Sequence, residues 1–267
     1  MSNPPIVMGI LNVTPDSFSD GGQFFASLQA VQRAREMVEE GAQIIDVGGE
    51  SSRPGAQPLN AEEETRRVIP VIRELSKKIS IPISIDTSKT SVAEEAIDCG
   101  ASIVNDITAL RGDPQMARLI SRKQVKVILM HMQGLPQTMQ KNPSYQNVVA
   151  EINDFFSERM EYAGQQNVSR DKIILDPGIG FGKTLEHNLE ILRHLDAFKQ
   201  SGSPLCLGVS RKAFIGQILD LPAQERLEGS LTAAVWGALC GVDILRVHDV
   251  KATVRALKVI GRILTDS

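Results

Sequence analysis

The stretch LDPGIGFGKTLEHN, Leu175 to Asn188, sets clustered glycines ahead of Gly182-Lys183-Thr184 and a helix-like segment. A phosphate loop needs a glycine five residues before its Gly-Lys pair. That position is Pro177, which has no N–H to offer a phosphate. Glycines at 178, 180 and 182 also miss the dinucleotide spacing. Asp176, just ahead of them, suits a different ligand, because a carboxylate accepts two parallel N–H bonds from a planar ring with an N–C–NH2 edge. Asp86 and Asn105 can satisfy the ring's other polar atoms. Gly178, Gly180 and Gly182 let backbone pass close to a flat ligand, and Phe181 packs beside it. The combination describes a heterocycle held at depth.

Cations stand opposite these groups. GVSRKAFIG, Gly208 to Gly216, places Arg211 and Lys212 at a strand end, and RVHD places Arg246 and His248 two residues apart, on one side of an extended chain. A lone Arg-x-His is more often surface than site, but two basic strand ends in neighbouring units form an anion pocket suited to a doubly charged leaving group. In GGESSRPGAQP the hydroxyls of Ser51 and Ser52 and the guanidinium of Arg53 suit phosphate oxygens. This loop and NVTPDSFSDGGQF, Asn12 to Phe24, are long and glycine-rich. Each reads equally well as a lid or as a solvated connection. No H-E-x-x-H or Cys/His cluster points to zinc. A magnesium held mainly by substrate phosphates, with an oxygen ligand such as that of Asn12, fits better. His187 and His194 lie in a polar helical stretch and read as solvated.

The elements that must position these residues alternate from end to end. VMGIL, QIIDV, PISID, SIVND, KVILMH, KIILD, PLCLGV and DILRV read as strands, separated by segments such as ASLQAVQRAREMVEEG with apolar residues near the helical period. Eight βα units without a linker predict one closed (β/α)8 TIM barrel over residues 1–267, with its site at the C-terminal strand ends. An open doubly wound sheet is the alternative. GAQIID, GASIVN and GVDILR repeat a helix-ending glycine followed at a fixed offset by Asp46, Asn105 and Arg246. With Asn12, Asp86, His131, Asp176, Ser210 and His248, these give a ring of polar strand ends. Any one member serves equally well as a helix cap, but the whole ring reads as a site.

The totals narrow the class. A net charge of −3 argues against nucleic-acid binding. Three cysteines without C-x-x-C spacing suggest buried thiols in a reducing compartment. The N-terminus lacks a signal-peptide pattern, and LTAAVWGALCGV is too short to span a bilayer, so a cytoplasmic chain without membrane partners is expected.

MGILNVTPDSFSDGG, IDVGGESSRPGA, ISIDTSK, IVNDI, DPGIGFGK, GVSRKAFIG and RVHD, in this order from about Val7 to Val250, resemble the signatures of the dihydropteroate synthases. The resemblance implies a TIM barrel, commonly dimeric, that condenses 6-hydroxymethyl-7,8-dihydropterin diphosphate with 4-aminobenzoate in folate synthesis. It implies that Asn12 ligates magnesium and that Asp86, Asn105 and Asp176 bind the pterin, with Lys212 at its edge and Phe181 and Gly208 in the same pocket. Arg246 and His248, with the Ser52 hydroxyl, would grip the diphosphate, and Lys212, Arg246 and His248 would carry the catalysis. Arg53 and Ser210 would form the aminobenzoate side. Ser52 stands where the family usually has threonine, which keeps the hydroxyl. LPQTMQKNPSYQN carries no usable signature. A pterin-binding methyltransferase would share the ring carboxylates but would have no use for the basic strand ends; a non-catalytic pterin binder would not need the two intact loops.

Overall fold

The computed structural model describes residues 4–13, 22–50 and 58–264, with residues 22–26 by backbone alone. Its strands are β1 (Ile6–Asn12), β2 (Ile44–Gly48), β3 (Ile83–Asp86), β4 (Ile103–Asp106), β5 (Lys126–Met130), β6 (Ile173–Asp176), β7 (Cys206–Leu207) and β8 (Ile244–Val247). All eight predicted strands are present. They pair in parallel in the order β6-β5-β4-β3-β2-β1-β8-β7. The remaining seam is bridged where Leu175 pairs with Leu205, the Leu175 N–H donating to the Pro204 carbonyl at 2.9 Å. The sheet therefore closes into a barrel, and the open doubly wound alternative falls.

Parallel neighbours need crossover connections, which the helices supply. These are α1 (Gly22–Glu40), α2 (Ala61–Leu75), α3 (Thr90–Asp98), α4 (Met116–Lys123), α5 (Val148–Gln165), α6 (Leu185–Arg193), α7 (Ala213–Leu219), α8 (Leu227–Leu239) and α9 (Val250–Leu264). Two of them, α7 and α8, lie between β7 and β8. The repeated glycines do what their spacing predicts: Gly41, Gly100 and Gly241 have φ of 106°, 115° and 77° and turn the chain from helix to strand.

Strand side chains alternate between faces, and here both faces are covered. One set packs under the helices, including Val7, Leu11, Ile45, Val47, Ile85, Val104, Val127, Leu129, Leu175 and Leu245. The other set points into the barrel. Its lower layer is a separate apolar cluster of Met8, Ile44, Ile103, Ile128, Ile174, Cys206 and Ile244. Two residues further along the same strands come Asp46, Asn105, Met130, Asp176, Gly208 and Arg246. The pleat thus puts an apolar floor beneath a layer of charged and amide groups. Among the described residues, no helix is long and apolar enough to cross a membrane.

Candidate active site

Register alone aligns part of the mouth: Asn12 pairs with Gly48, Gly48 with Asp86, and Asp86 with Asn105, across four adjacent strands. Met130 pairs with Asp176 on the far side. Between them lies a small cavity lined by Asp86, Asn105, Asp176, Phe181, Gly208, Lys212 and Arg246, with Ile107, Met130, Gly178 and Ile179. Residues from six strand ends therefore meet in one space, including seven of the eleven assigned to substrate binding. Ile107, Met130 and Phe181 form its apolar wall, and Met132 and Met139 belong to the same buried cluster.

Arg246 crosses the mouth and pairs with two carboxylates. Its Nε lies 2.6 Å from Asp46 Oδ2, and its Nη2 lies 2.6 Å from Asp86 Oδ2. Asp46 Oδ2 also accepts from Asn105 Nδ2 at 3.1 Å. The three residues of the sequence repeat, Asp46, Asn105 and Arg246, are thus one hydrogen-bonded group. Asp46 was legible in that repeat as a strand-end residue but had no assigned role. It is wholly buried and fixes both Asn105 and Arg246.

Enclosure sets the protonation of the site. Burial pushes the Asp86 carboxyl up to about 7, against the pull of Arg246. Burial also raises Asp176, while the Gly178 N–H bond at 2.7 Å and the charge of Lys212 oppose the shift. Lys212 is brought down to about 8 by burial, with Asp176 acting the other way. Arg246 stays charged because Asp46 and Asp86 outweigh its own desolvation. Lys212 Nζ sits 4.2 Å from the centroid of the Phe181 ring, a cation–π contact within the cavity.

His248 and Ser210 stand outside the cavity lining, nearer the rim. The Ser210 hydroxyl accepts from the His248 N–H at 3.2 Å and lies 3.1 Å from its Nδ1. Asn12 ends β1 beside Gly48, where a Cβ on that glycine would lie 3.8 Å from both Asn12 Oδ1 and Asp86 Oδ2. Two hard oxygens thus flank a gap that a side chain would fill. Among the described residues, no group of three acidic, histidine or cysteine side chains could hold a metal. A magnesium here would therefore take most of its ligands from substrate oxygens and water. Ser51, Ser52 and Arg53 lie outside the described residues, as does most of the first loop.

Three sequence expectations need correction. Arg211 does not join Lys212: its Nε and Nη2 form a bidentate pair with Asp249 at 3.0 and 2.6 Å, because a left-handed backbone at φ 58° turns it away. His187 is not simply solvated. It completes a capping box with Thr184 at the start of α6 and stacks edge-on against Tyr145 at 4.9 Å. His131, in the ring of strand ends, is buried behind the Phe181 loop, where burial holds it neutral at about 2. Sequence reasoning also missed Met139. It comes from the stretch without a signature, and nothing local marked it as packing in the cluster of Met130 and Phe181.

Comparison with known proteins accords with this geometry. A family model described as pterin binding enzyme matches residues 8–248. The dihydropteroate synthase of Escherichia coli strain K12 is 49% identical over 256 residues, covering 96% of this chain and 90% of that protein. The Xanthomonas albilineans dihydropteroate synthase solved with 4-aminobenzoic acid superposes with a TM-score of 0.93 at 42% identity, covering 99% of this chain and 95% of that one. The same enzyme in complex with 7,8-dihydropteroate gives 0.90 at 39% identity, over 100% and 96%. Barrel, cavity and relatives agree, and the chain belongs to the dihydropteroate synthase family of pterin-binding enzymes.

Proposed function

We infer that the chain joins 6-hydroxymethyl-7,8-dihydropterin diphosphate to 4-aminobenzoate, forming 7,8-dihydropteroate and releasing diphosphate. The observation that carries this reading is the convergence of Asp86, Asn105, Asp176, Lys212 and Arg246 on one cavity above an apolar floor. Asp176 accepts from the N–C–NH2 edge of the pterin, Asp86 and Asn105 meet its other polar atoms, and Phe181 and Met130 cover its faces. Gly208 leaves room along the ring, since no atom lies within 4 Å of where its Cβ would be.

In the reaction, the bond between the pterin methylene and the diphosphate oxygen breaks, and its electron pair leaves with the diphosphate. The electron-rich ring delocalises the cation left behind. The amine of 4-aminobenzoate attacks that carbon and then loses a proton. An aromatic amine is neutral near pH 7, so the chemistry needs no strong base. The protein's part is to stabilise the charge that grows on the leaving group. Lys212 and Arg246 supply it inside the cavity and His248 at the rim, with Ser52 on the second loop. Arg53 and Ser210 form the aminobenzoate side. Asn12 and substrate oxygens would hold a magnesium, which neutralises charge on the diphosphate when bound.

The chain acts as a homodimer in the cytoplasm in this reading. Helix α8, LEGSLTAAVWGAL, is apolar around its circumference yet leaves Leu227, Trp236 and Leu239 exposed, which suits a face covered by a second copy. Incubation with the pterin diphosphate and 4-aminobenzoate, with and without magnesium, tests the function. Dihydropteroate and diphosphate should form in equal amounts, and their absence in the presence of magnesium rejects the reading.

A further inference from the structure

We propose that Lys183 is a positioning residue for the ring pocket: its buried ammonium holds the Phe181 carbonyl and the His131 ring, and so fixes the wall against which the pterin lies. The proposal rests on reading the cavity as the pterin site. Lys183 is only 3% exposed, and in the sequence it looks like the lysine of a failed phosphate loop. Its Nζ lies 3.0 Å from His131 Nδ1, 3.0 Å from the Phe181 carbonyl and 3.4 Å from the His131 carbonyl. Three acceptors therefore face its three hydrogens, which leaves none for a ligand. A buried ammonium persists only where partners offset its lost hydration, so this arrangement is specific.

The wall it serves is held at each step. Gly178, Gly180 and Gly182 have φ of 68°, 82° and 63°. The successive carbonyls of Gly180, Phe181 and Gly182 each accept a side-chain hydrogen bond, from Gln140, Lys183 and Tyr145. The Gly180 N–H donates to Asn188 Oδ1 at 2.7 Å. Of the three carbonyl partners, Lys183 is the charged and deeply buried one, and it grips the residue whose ring lines the cavity. Its charge also draws on the Asp176 carboxylate, which lowers the cost of keeping that group ionised. Burial brings Lys183 down to about 7, with Lys212 adding to the shift and Asp176 opposing it.

The test is calorimetric titration with 6-hydroxymethylpterin, alongside steady-state kinetics. Wild-type protein that binds no pterin would defeat the pocket reading itself and, with it, this proposal's premise. Given wild-type binding, folded Lys183→Met should bind the pterin about tenfold more weakly or worse, the scale of a lost hydrogen bond from a charged group. The KM for the pterin diphosphate should rise in step while the KM for 4-aminobenzoate holds within about twofold, a split that general loosening of the fold would not produce. In a double-mutant cycle with Phe181→Ala, the two losses should not add, because one acts through the other. Unchanged pterin affinity, or losses that add in full, would overturn the proposal. If Lys183→Met does not fold, Lys183→Gln, which keeps two N–H donors without the charge, takes its place. A loss of about threefold or more is then expected, and unchanged affinity overturns the proposal.

Discussion

Asp46 touches no solvent, yet it decides how two pocket residues stand. Its Oδ2 takes both Arg246 Nε and Asn105 Nδ2, so the Asn105 amide has its NH2 end committed to the barrel interior. Removing Asp46 would leave Arg246 with Asp86 alone and would strip the buried Asn105 amide and Arg246 Nε of their acceptor. Asp46→Ala should destabilise the fold by about 1–3 kcal/mol in denaturant titration and weaken pterin binding. Protonation gives a second expectation. An acceptor role for Asp86 requires its ionised form, so its contribution is present above about 7 and fades as pH falls. Lys212 contributes while charged, below about 8, and fades as pH rises. Pterin affinity measured against pH should therefore be bell-shaped. Asp86→Asn should remove the acid limb, and Lys212→Met should reduce the alkaline one to the part that Lys183 contributes. A flat wild-type profile would contradict both roles.

At the scale of elements, the loop after β6 shows what glycine is for. A Cβ on Gly178 would lie 1.9 Å from the His131 carbonyl oxygen, and one on Gly182 would lie 2.4 Å from the Gln133 carbonyl oxygen. Gly202 has a similar φ of 76° but open space around it. Gly202→Ala should then cost only the left-handed penalty, roughly 1–2 kcal/mol. Gly178→Ala should cost more than that and also impair pterin binding, because backbone must move at the cavity. Thermal melts of the two variants make the comparison. This loop also shows how much of the site could be read from sequence. Short apolar runs alternating with helix-period segments located all eight strands, and Asp86, Asn105, Asp176 and Arg246 stood at their ends. The partners of those residues were hidden because they are non-local: Arg246 reaches Asp46 and Asp86 across 200 and 160 residues. Arg211 could not be separated from Lys212 either, because one left-handed backbone angle sends neighbouring side chains apart.

For the whole molecule, the described residues expose apolar side chains on α8, on the adjoining α7 at Ile218 and Leu219, and on α9 at Val259, Ile263 and Leu264. Leu239→Glu should turn the proposed dimer into a monomer in sedimentation velocity while the far-ultraviolet spectrum stays unchanged. A wild-type protein that sediments as a monomer at micromolar concentration would rule the dimer out. The barrel interior carries a further consequence. Met8, Ile44, Ile103, Ile128, Ile174, Cys206 and Ile244 plug its lower end, so among the described residues the chamber opens toward the strand ends. On the placement proposed above, the bicyclic reactant sits deeper and would have to arrive before its shallow co-reactant. An arylamine docked early would bar its way, and the joined product would back out along the path by which the pieces came.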